Sequence, residues 1–593
     1  MHGLGDTAEA RFLGVLARAD ARLAAVWWSL VLLRGVLPAL FAVAMGALVG
    51  AVESGAALGL PLAAAGIVFL AISALQPLHG TVGSLLGAKG GAWLHDRLME
   101  ACVEPAGLAH LERPDLADEL AAARDFDLGV AAPPLETAVP EIGHGFATVV
   151  SGLAQALLLA AYEWWAALLV GGAWAATHVL LRESAMWKIW SVDGVVTEQR
   201  HVNYAYRLAV DAPAAKEIRV FGLADWVVSW FATRRRRLAE FLYHERRLRQ
   251  RPLGWSLALI VIANALVFWA LARDATAGAI GLAQLVMFAQ AAVGTAALAF
   301  GDFDWWFRSS AQPIPKVLDL ARQMRPAGRI EEGRKSTGGQ PRDALRFRAV
   351  RFAYPTTDEP VLDGFDLSIP AGRSLAIVGP NGAGKTTIAK LICRLYDPQA
   401  GEILVDGTDL REYALGPWRS RVAAVFQDFI HFEWPLRDNV APAGAPDDVI
   451  MRALERAGAA DIASLDTILS RAYQGGAELS GGQWQRIALA RTLCAVQQGA
   501  GLVILDEPTA QLDVRGEAEI FDRILEATRG LTTILISHRF STVRHADRIC
   551  VLEGGRIVEE GTHAELMSLG RRYHTMFELQ ASRFSDDGDA YDA

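Results

Sequence analysis

The sequence predicts two fold classes in one chain: an α-helical membrane domain of six spans, then an α/β domain of the P-loop type with a helical subdomain. Three observations predict it. Long apolar runs are confined to the first half. Two apolar runs of strand length, residues 375–378 and 502–505, stand in the second half. Each leads directly into a short polar stretch, a glycine-rich loop ending in Lys385 and Thr386 in one case and the acidic pair Asp506 and Glu507 in the other.

The membrane domain is read first. A hydrocarbon core about 30 Å thick needs about 20 apolar residues of helix. Six segments meet or approach this: 23–49, 58–78, 146–162, 164–181, 253–272 and 275–300. Short loops join the first to the second, the third to the fourth and the fifth to the sixth. Two long gaps carry the positive charge, including the run from Arg234 to Arg237. The short loops offer Glu53, Glu163 and one basic residue, Arg273. By the positive-inside rule both long gaps and both termini face the cytoplasm, as in a multi-pass protein of the cell membrane. Trp27, Trp28, Trp164, Trp165, Trp187 and Trp190 lie near span ends, where amphipathic rings favour the interface. Apolar periodicity continues past the spans, so the helices are expected to run on below the membrane. Each gap is expected to turn at a proline-containing segment, 111–115 or 211–217, able to touch a cytosolic partner.

Three charges fall in or beside the spans. Arg34 lies within the first, near mid-depth, where an unpaired charge costs about 2.5–3.5 kcal/mol on insertion scales. It is expected to face a water-filled cavity and attract an acidic or carboxylate-bearing substrate. Asp302 and Asp304, at the end of the sixth span, are expected to snorkel to the interface.

Composition agrees with this division. The 593 residues are too many for one ordinary domain, and 52% are hydrophobic against 21% charged. Mean hydropathy is +0.23, high for a soluble chain of this size. The net charge of -9 gives no basic face, so a nucleic-acid partner is not expected. Cys102, Cys393, Cys494 and Cys550 are far apart, which argues against a disulfide framework or a metal cluster. The first apolar run is too long for a cleavable signal and follows Arg11, Arg18 and Arg22, so it is expected to stay as an anchor. The expected organisation is a membrane domain at 1–322, a polar, glycine-rich linker at 323–344, an α/β domain at 345–580 and an acidic tail at 581–593.

The α/β domain carries the chemistry. Gly379, Pro380, Asn381, Gly382, Ala383, Gly384, Lys385 and Thr386 fit G-x-x-x-x-G-K-[ST], and Thr387 follows. Glycines allow backbone N–H groups to curl around phosphate oxygens, and the helix starting near Lys385 adds its positive end. Lys385 would reach the β- and γ-phosphates of ATP, and the Thr386 hydroxyl would ligate Mg²⁺. Asp506, at the end of a buried strand, would hold the same ion. Glu507 is then placed to polarise the attacking water.

Between these lies Leu479-Ser480-Gly481-Gly482-Gln483. A phosphate loop, then LSGGQ, then LDEPT resembles the nucleotide-binding domain of ATP-binding cassette (ABC) proteins, over residues 347 to about 579. The resemblance implies roles for further residues. Tyr354 would stack on adenine, and Gln427 would sense Mg²⁺ and the membrane domain. Asp513 would cross a dimer interface, and His538 would contact the γ-phosphate. It also implies that Ser480, Gly481, Gly482 and Gln483 close on ATP held by another copy. One phosphate loop and one LSGGQ per chain then require a homodimer or a related half-transporter as partner. The first half resembles the six-helix exporter domain of the same family, with "LERPDLADELAAAR" and "AKEIRVFGL" as its two coupling regions. "GGAELSGGQWQRIALAR" looks most like the branch that exports modified peptides such as lantibiotics.

The function so implied is an ATP-hydrolysing exporter of a substrate such as a modified peptide across the lipid bilayer. The alternatives within transport are a lipid flippase, a multidrug exporter, or an importer on the exporter fold. Outside it stand an ATP-gated channel and a soluble ABC ATPase acting on ribosomes or DNA, against which the spans argue.

Overall fold

The structure, a computed structural model, describes all residues except 1–6, 125–132, 183–192, 246–249, 300–302, 509–522 and 587–593. Packing divides the chain into two compact units. One comprises Met1–Ala101 with Asp118–Arg322, the other Cys102–Ala117 with Gln323–Ala593.

The described residues of the first unit are helical apart from short connections. Five helical stretches are long and apolar enough to cross a membrane: Ala21–Glu53, Gly59–Val103, Leu135–Ala160, Gly254–Thr276 and Leu282–Ala327. The expected fourth span forms the helix Trp164–Arg182, which is not among the five; its last side chains lie outside the described residues. Within the apolar stretches of these helices large hydrophobic side chains face outward. Leu60 is 83% exposed and Leu157 75%, which suits hydrocarbon and not water. Close helix contacts are made at small residues, as membrane helices require. A Cβ on Gly35 would meet Val150 at 2.5 Å, and one on Gly87 would meet the Leu135 carbonyl at 2.1 Å.

Helix Gly59–Val103 has 45 residues. At 1.5 Å per residue that is about 67 Å, over twice the bilayer core. The continuation expected below the membrane is therefore one unbroken helix. In the second gap, helices Asp193–Val210 and Ala224–Glu245 pack through Val202, Phe231 and Leu238, and Arg234 pairs with Glu198 at 3.2 Å. Between them the 211–217 segment forms a short turn of helix, Ala212–Ala214, leading into Ala215–Val220.

Asp304 pairs with Arg308 one turn along its helix, at 3.4 Å. One charge differs from expectation. Arg34 is bonded to His79, which directly follows the second apolar run, and to His144, two residues before the third. It therefore lies level with the ends of those runs, not near mid-depth. The reason is the helix's length: from Arg34 to its far end at Glu53 are 19 residues (53 minus 34), about 28 Å at 1.5 Å each, which is nearly the whole bilayer core. Asp302, Trp187 and Trp190 lie outside the described residues.

The second unit is an α/β fold. Its described strands are β1 (Ala344–Phe352), β2 (Leu362–Pro370), β3 (Ser374–Val378), β4 (Ala400–Val405), β5 (Thr408–Asp409), β6 (Val422–Val425), β7 (Leu502–Asp506), β8 (Thr532–Ile536), β9 (Arg548–Glu553) and β10 (Arg556–Gly561). One sheet has the order β2-β1-β4-β5 and is antiparallel; the other runs β10-β9-β3-β8-β7-β6 and is parallel except at β10. All five residues of β7 and all five of β8 are buried. Burial on both faces is why these strands read as unbroken apolar runs and not as alternating patterns.

The linker also departs from a free polar tether. Helix Pro313–Ala327 runs into it. Lys335 then bonds through its backbone to Glu412 and Ala414 of the α/β unit, each at 2.9 Å. Likewise Cys102–Ala117 packs with the α/β unit although its neighbours in sequence are helices of the first.

Candidate active site

In a parallel sheet every strand ends on the same edge, and ligands bind in the crevice beyond it. The register lines up four such ends. Ile377 pairs with Ile536, Asp506 with the same Ile536, and Val425 with Leu505. The glycine-rich loop after β3, His538 after β8, the acidic pair ending β7 and Gln427 after β6 therefore stand in a row, although the chain supplies them from positions 160 residues apart.

The loop is shaped by its glycines. Gly382 and Gly384 have φ of 80° and 104°, a left-handed region costly for other residues. At Gly379 a Cβ would meet the Leu552 carbonyl oxygen at 2.1 Å. Helix Lys385–Ile392 starts directly after Gly384. Lys385 is 8% exposed, and its Nζ donates to the carbonyls of Gly379 and Pro380 at 2.8 and 3.0 Å. Burial pulls the ammonium below its ordinary range, while Glu507 and Asp506 pull it back up.

Asp506 is 1% exposed. Burial raises its carboxyl above the usual range, opposed by a hydrogen bond from the Thr386 hydroxyl at 2.6 Å; the charges of Glu507 and Asp428 push further upward. A buried carboxylate and a hydroxyl in mutual contact are two hard oxygen donors, the set Mg²⁺ takes when phosphates and water complete its shell. The residues fit the ion. No cluster of three or more His, Cys, Asp or Glu exists among the described residues, so the phosphates would have to supply the remaining ligands.

Glu507 has φ of 51°, unusual for a residue with a side chain. Its backbone N–H donates to the Ile536 carbonyl at 2.8 Å, which pins that conformation. The carboxylate accepts from His538 Nδ1 at 2.9 Å. Strain held by a strand-edge bond, with the carboxylate aimed along the edge, marks a position where geometry outweighs local stability.

Ser480 caps helix Gly481–Gln497, with a reciprocal bond pair to Gln483: Gln483 N–H to Ser480 Oγ at 3.3 Å, Ser480 N–H to Gln483 Oε1 at 2.8 Å. The cap fixes the helix start, and Gly481 is exposed there. Tyr354 lies near the phosphate loop, its hydroxyl 3.0 Å from Thr387 Oγ1. Gln427 is exposed. Asp513 lies outside the described residues.

Two contributors escaped the sequence reading. Lys390 Nζ stands 5.1 Å from the Tyr354 ring centre and 3.3 Å from Glu112 Oε1. Spacing on helix Lys385–Ile392 offered a signal, since Lys390 follows Thr387 by three and shares its face. Asp428 acts on Asp506 through space, with no motif to announce it.

A strand-edge row of phosphate loop, buried Asp–Thr pair and Glu–His pair, with a glycine-led helix start, has the arrangement of a P-loop nucleotide-binding unit. Residues 362–510 match the family model described as ABC transporter. The chain is 40% identical over 280 residues to an ATP-dependent lipid A-core flippase of Burkholderia orbicola (strain AU 1054), covering 45% of this chain and 46% of that one. It is 39% identical over 280 residues to the protein of the same name from Desulfotalea psychrophila (strain LSv54 / DSM 12343), covering 46% of each. The chain thus spans about half the length of the curated relatives it matches. A solved bacterial Atm1-family ABC exporter with ATP bound superposes with a TM-score of 0.69 at 24% identity, over 95% of this chain and 98% of that chain. The architecture is accordingly the exporter fold, a helical membrane-type unit followed by an α/β nucleotide-binding unit. The peptide-exporter branch expected from the LSGGQ region finds no support in these named relatives, which are lipid flippases.

Proposed function

We propose that the chain is an ATP-driven exporter half that moves an amphiphilic, lipid-like molecule across the membrane as a homodimer. The observation carrying the ATPase part is the row of Lys385, Asp506, Glu507 and His538 on one sheet edge. Lys385 would leave the Gly379 and Pro380 carbonyls for the β- and γ-phosphates, with Gly382, Ala383 and Gly384 cradling them and Thr387 beside the α-phosphate. Thr386 and Asp506 would hold Mg²⁺, which neutralises phosphate charge, with Gln427 at its outer side. Glu507 would orient the attacking water, steadied by His538, which then turns to the γ-phosphate. Tyr354 would bear the adenine. Ser480, Gly481, Gly482 and Gln483 would close on the partner's ATP, with Asp513 at the same interface.

The lipid-like substrate is favoured over a modified peptide by the names of the relatives. ATP hydrolysis and lipid translocation measured together in proteoliposomes test the whole proposal. ATP turnover without translocation of any amphiphile would reject the flippase part, and ion current on ATP addition would reassign the chain to a channel.

A further inference from the structure

We infer that Arg34, held between His79 and His144, receives an oxyanion, phosphate or carboxylate, carried on the head of the amphiphilic substrate. This rests on the transporter reading above and names what its membrane unit recognises.

Arg34 Nη1 donates to His79 Nδ1 at 2.8 Å, and Nη2 donates to His144 Nδ1 at 3.4 Å. A guanidinium has donors only, so a ring nitrogen bonded to it must supply a lone pair. At 2.8 Å from a group that can only donate, the His79 ring accepts at Nδ1 and so carries its proton on Nε2. The two rings orient the guanidinium and leave its charge unbalanced. Among the described residues Arg34 makes no ion pair, and two of its five N–H donors are engaged by these rings.

The scaffold under the cation is fixed. His79 is 2% exposed and stacks on Trp27, ring centres 6.3 Å apart at 20°. Trp27 is fully buried. Its other side is closed by Gly143, where a Cβ would meet His79 Nε2 at 2.4 Å. The imidazole therefore cannot turn away, and it holds one edge of the guanidinium in place. Arg34 itself is half-buried and His144 exposed, so the cation remains open on one side. A planar fork with fixed direction and free donors suits bidentate capture of a carboxylate or phosphate.

The surroundings distinguish an amphiphile from a soluble anion. On the same helix Leu32, Leu33 and Val36 are 55%, 48% and 41% exposed. The three polar groups meet at the ends of the second and third apolar runs, on the side of the long basic gaps. An oxyanion at Arg34 would lie at headgroup level, with apolar surface next to it for a chain. Free phosphate would find only the cation.

The test is equilibrium binding to the full-length protein in nanodiscs without nucleotide, using dodecyl phosphate, inorganic phosphate and dodecyl maltoside. Dodecyl phosphate should bind saturably, and Arg34→Gln should weaken it by about tenfold or more, with Arg34→Lys losing less. Maltoside binding should not change. Equal affinity of wild type and Arg34→Gln for dodecyl phosphate overturns the inference. Inorganic phosphate as potent as dodecyl phosphate overturns the amphiphile and leaves a soluble-anion site. A measurement on the wild-type protein covers failure of the variant to fold: a photoreactive alkyl phosphate should label peptides containing Arg34, His79 or His144, and labelling confined elsewhere rejects the site. Because no nucleotide is present, these outcomes are separate from any failure of the ATPase assignment.

Discussion

Asp506 and Glu507 are adjacent carboxylates with different tasks. Asp506 is buried and shifted upward by burial, so the folded, nucleotide-free protein binds its proton more tightly than the unfolded chain does. The sign follows: stability falls as pH rises from the ordinary carboxylate range through the raised value, and near neutrality the charge is a net cost. Asp506→Asn should therefore raise the Tm of the nucleotide-free protein, by about 2–4 °C for each kcal/mol relieved, while Mg²⁺-dependent hydrolysis is lost. A thermal shift assay with and without MgATP reads both, and a lowered Tm would mean that Asp506 is satisfied without metal. Glu507 is the candidate base, and a positioned base contributes about 10²–10⁴-fold. Glu507→Gln should cut turnover by at least about 100-fold while ATP still binds and holds the ATPase units closed. Wild-type turnover in this variant would remove the assignment.

Helix Lys385–Ile392 links chemistry to the rest of the unit. Its first residues reach the phosphates, and Lys390 near its end lies over Tyr354 and pairs with Glu112. Lys390 and Glu112 are 24% and 32% exposed, so the ion pair alone is worth little. The contact of an ammonium with the ring, about 0.5–1 kcal/mol at such a site, would hold Tyr354 for adenine. Lys390→Ala should raise KM for ATP about two- to fivefold in steady-state hydrolysis. An unchanged KM would show that Tyr354 is placed without it. Glu112 comes from the segment between the second and third spans, so the same lysine touches both the proposed base-stacking residue and a piece of chain from the membrane half.

At the scale of the assembly, each chain has one phosphate loop and one LSGGQ helix start. If the helix start serves the partner's ATP, damage can be distributed. In a mixed dimer of Lys385→Ala and Ser480→Arg chains, one site carries both changes and the other carries neither. Hydrolysis should recover to a measurable fraction of wild type in the mixture, while each mutant alone stays near zero. Mixed dimers purified by two tags and still inactive would reject the shared site.

Local chemistry was determined by the sequence alone. A phosphate loop needs glycines with positive φ next to a lysine, and a buried parallel strand needs an unbroken apolar run. Both patterns are contiguous, so Lys385, Thr386, Asp506 and Glu507 were legible with their neighbours. Long helices were legible for the same reason, Trp164–Arg182 among them, whose last side chains lie outside the described residues. What belongs to pairing between distant elements was decided only by the tertiary structure. Arg34 meets histidines 45 and 110 positions away. The linker bonded to the α/β unit, and Cys102–Ala117 packed with that unit too. The physical reason is that periodicity reports which face of one element is buried. The partner covering that face depends on how elements are brought together, and two side chains a hundred residues apart carry no mark of their meeting until the chain has folded.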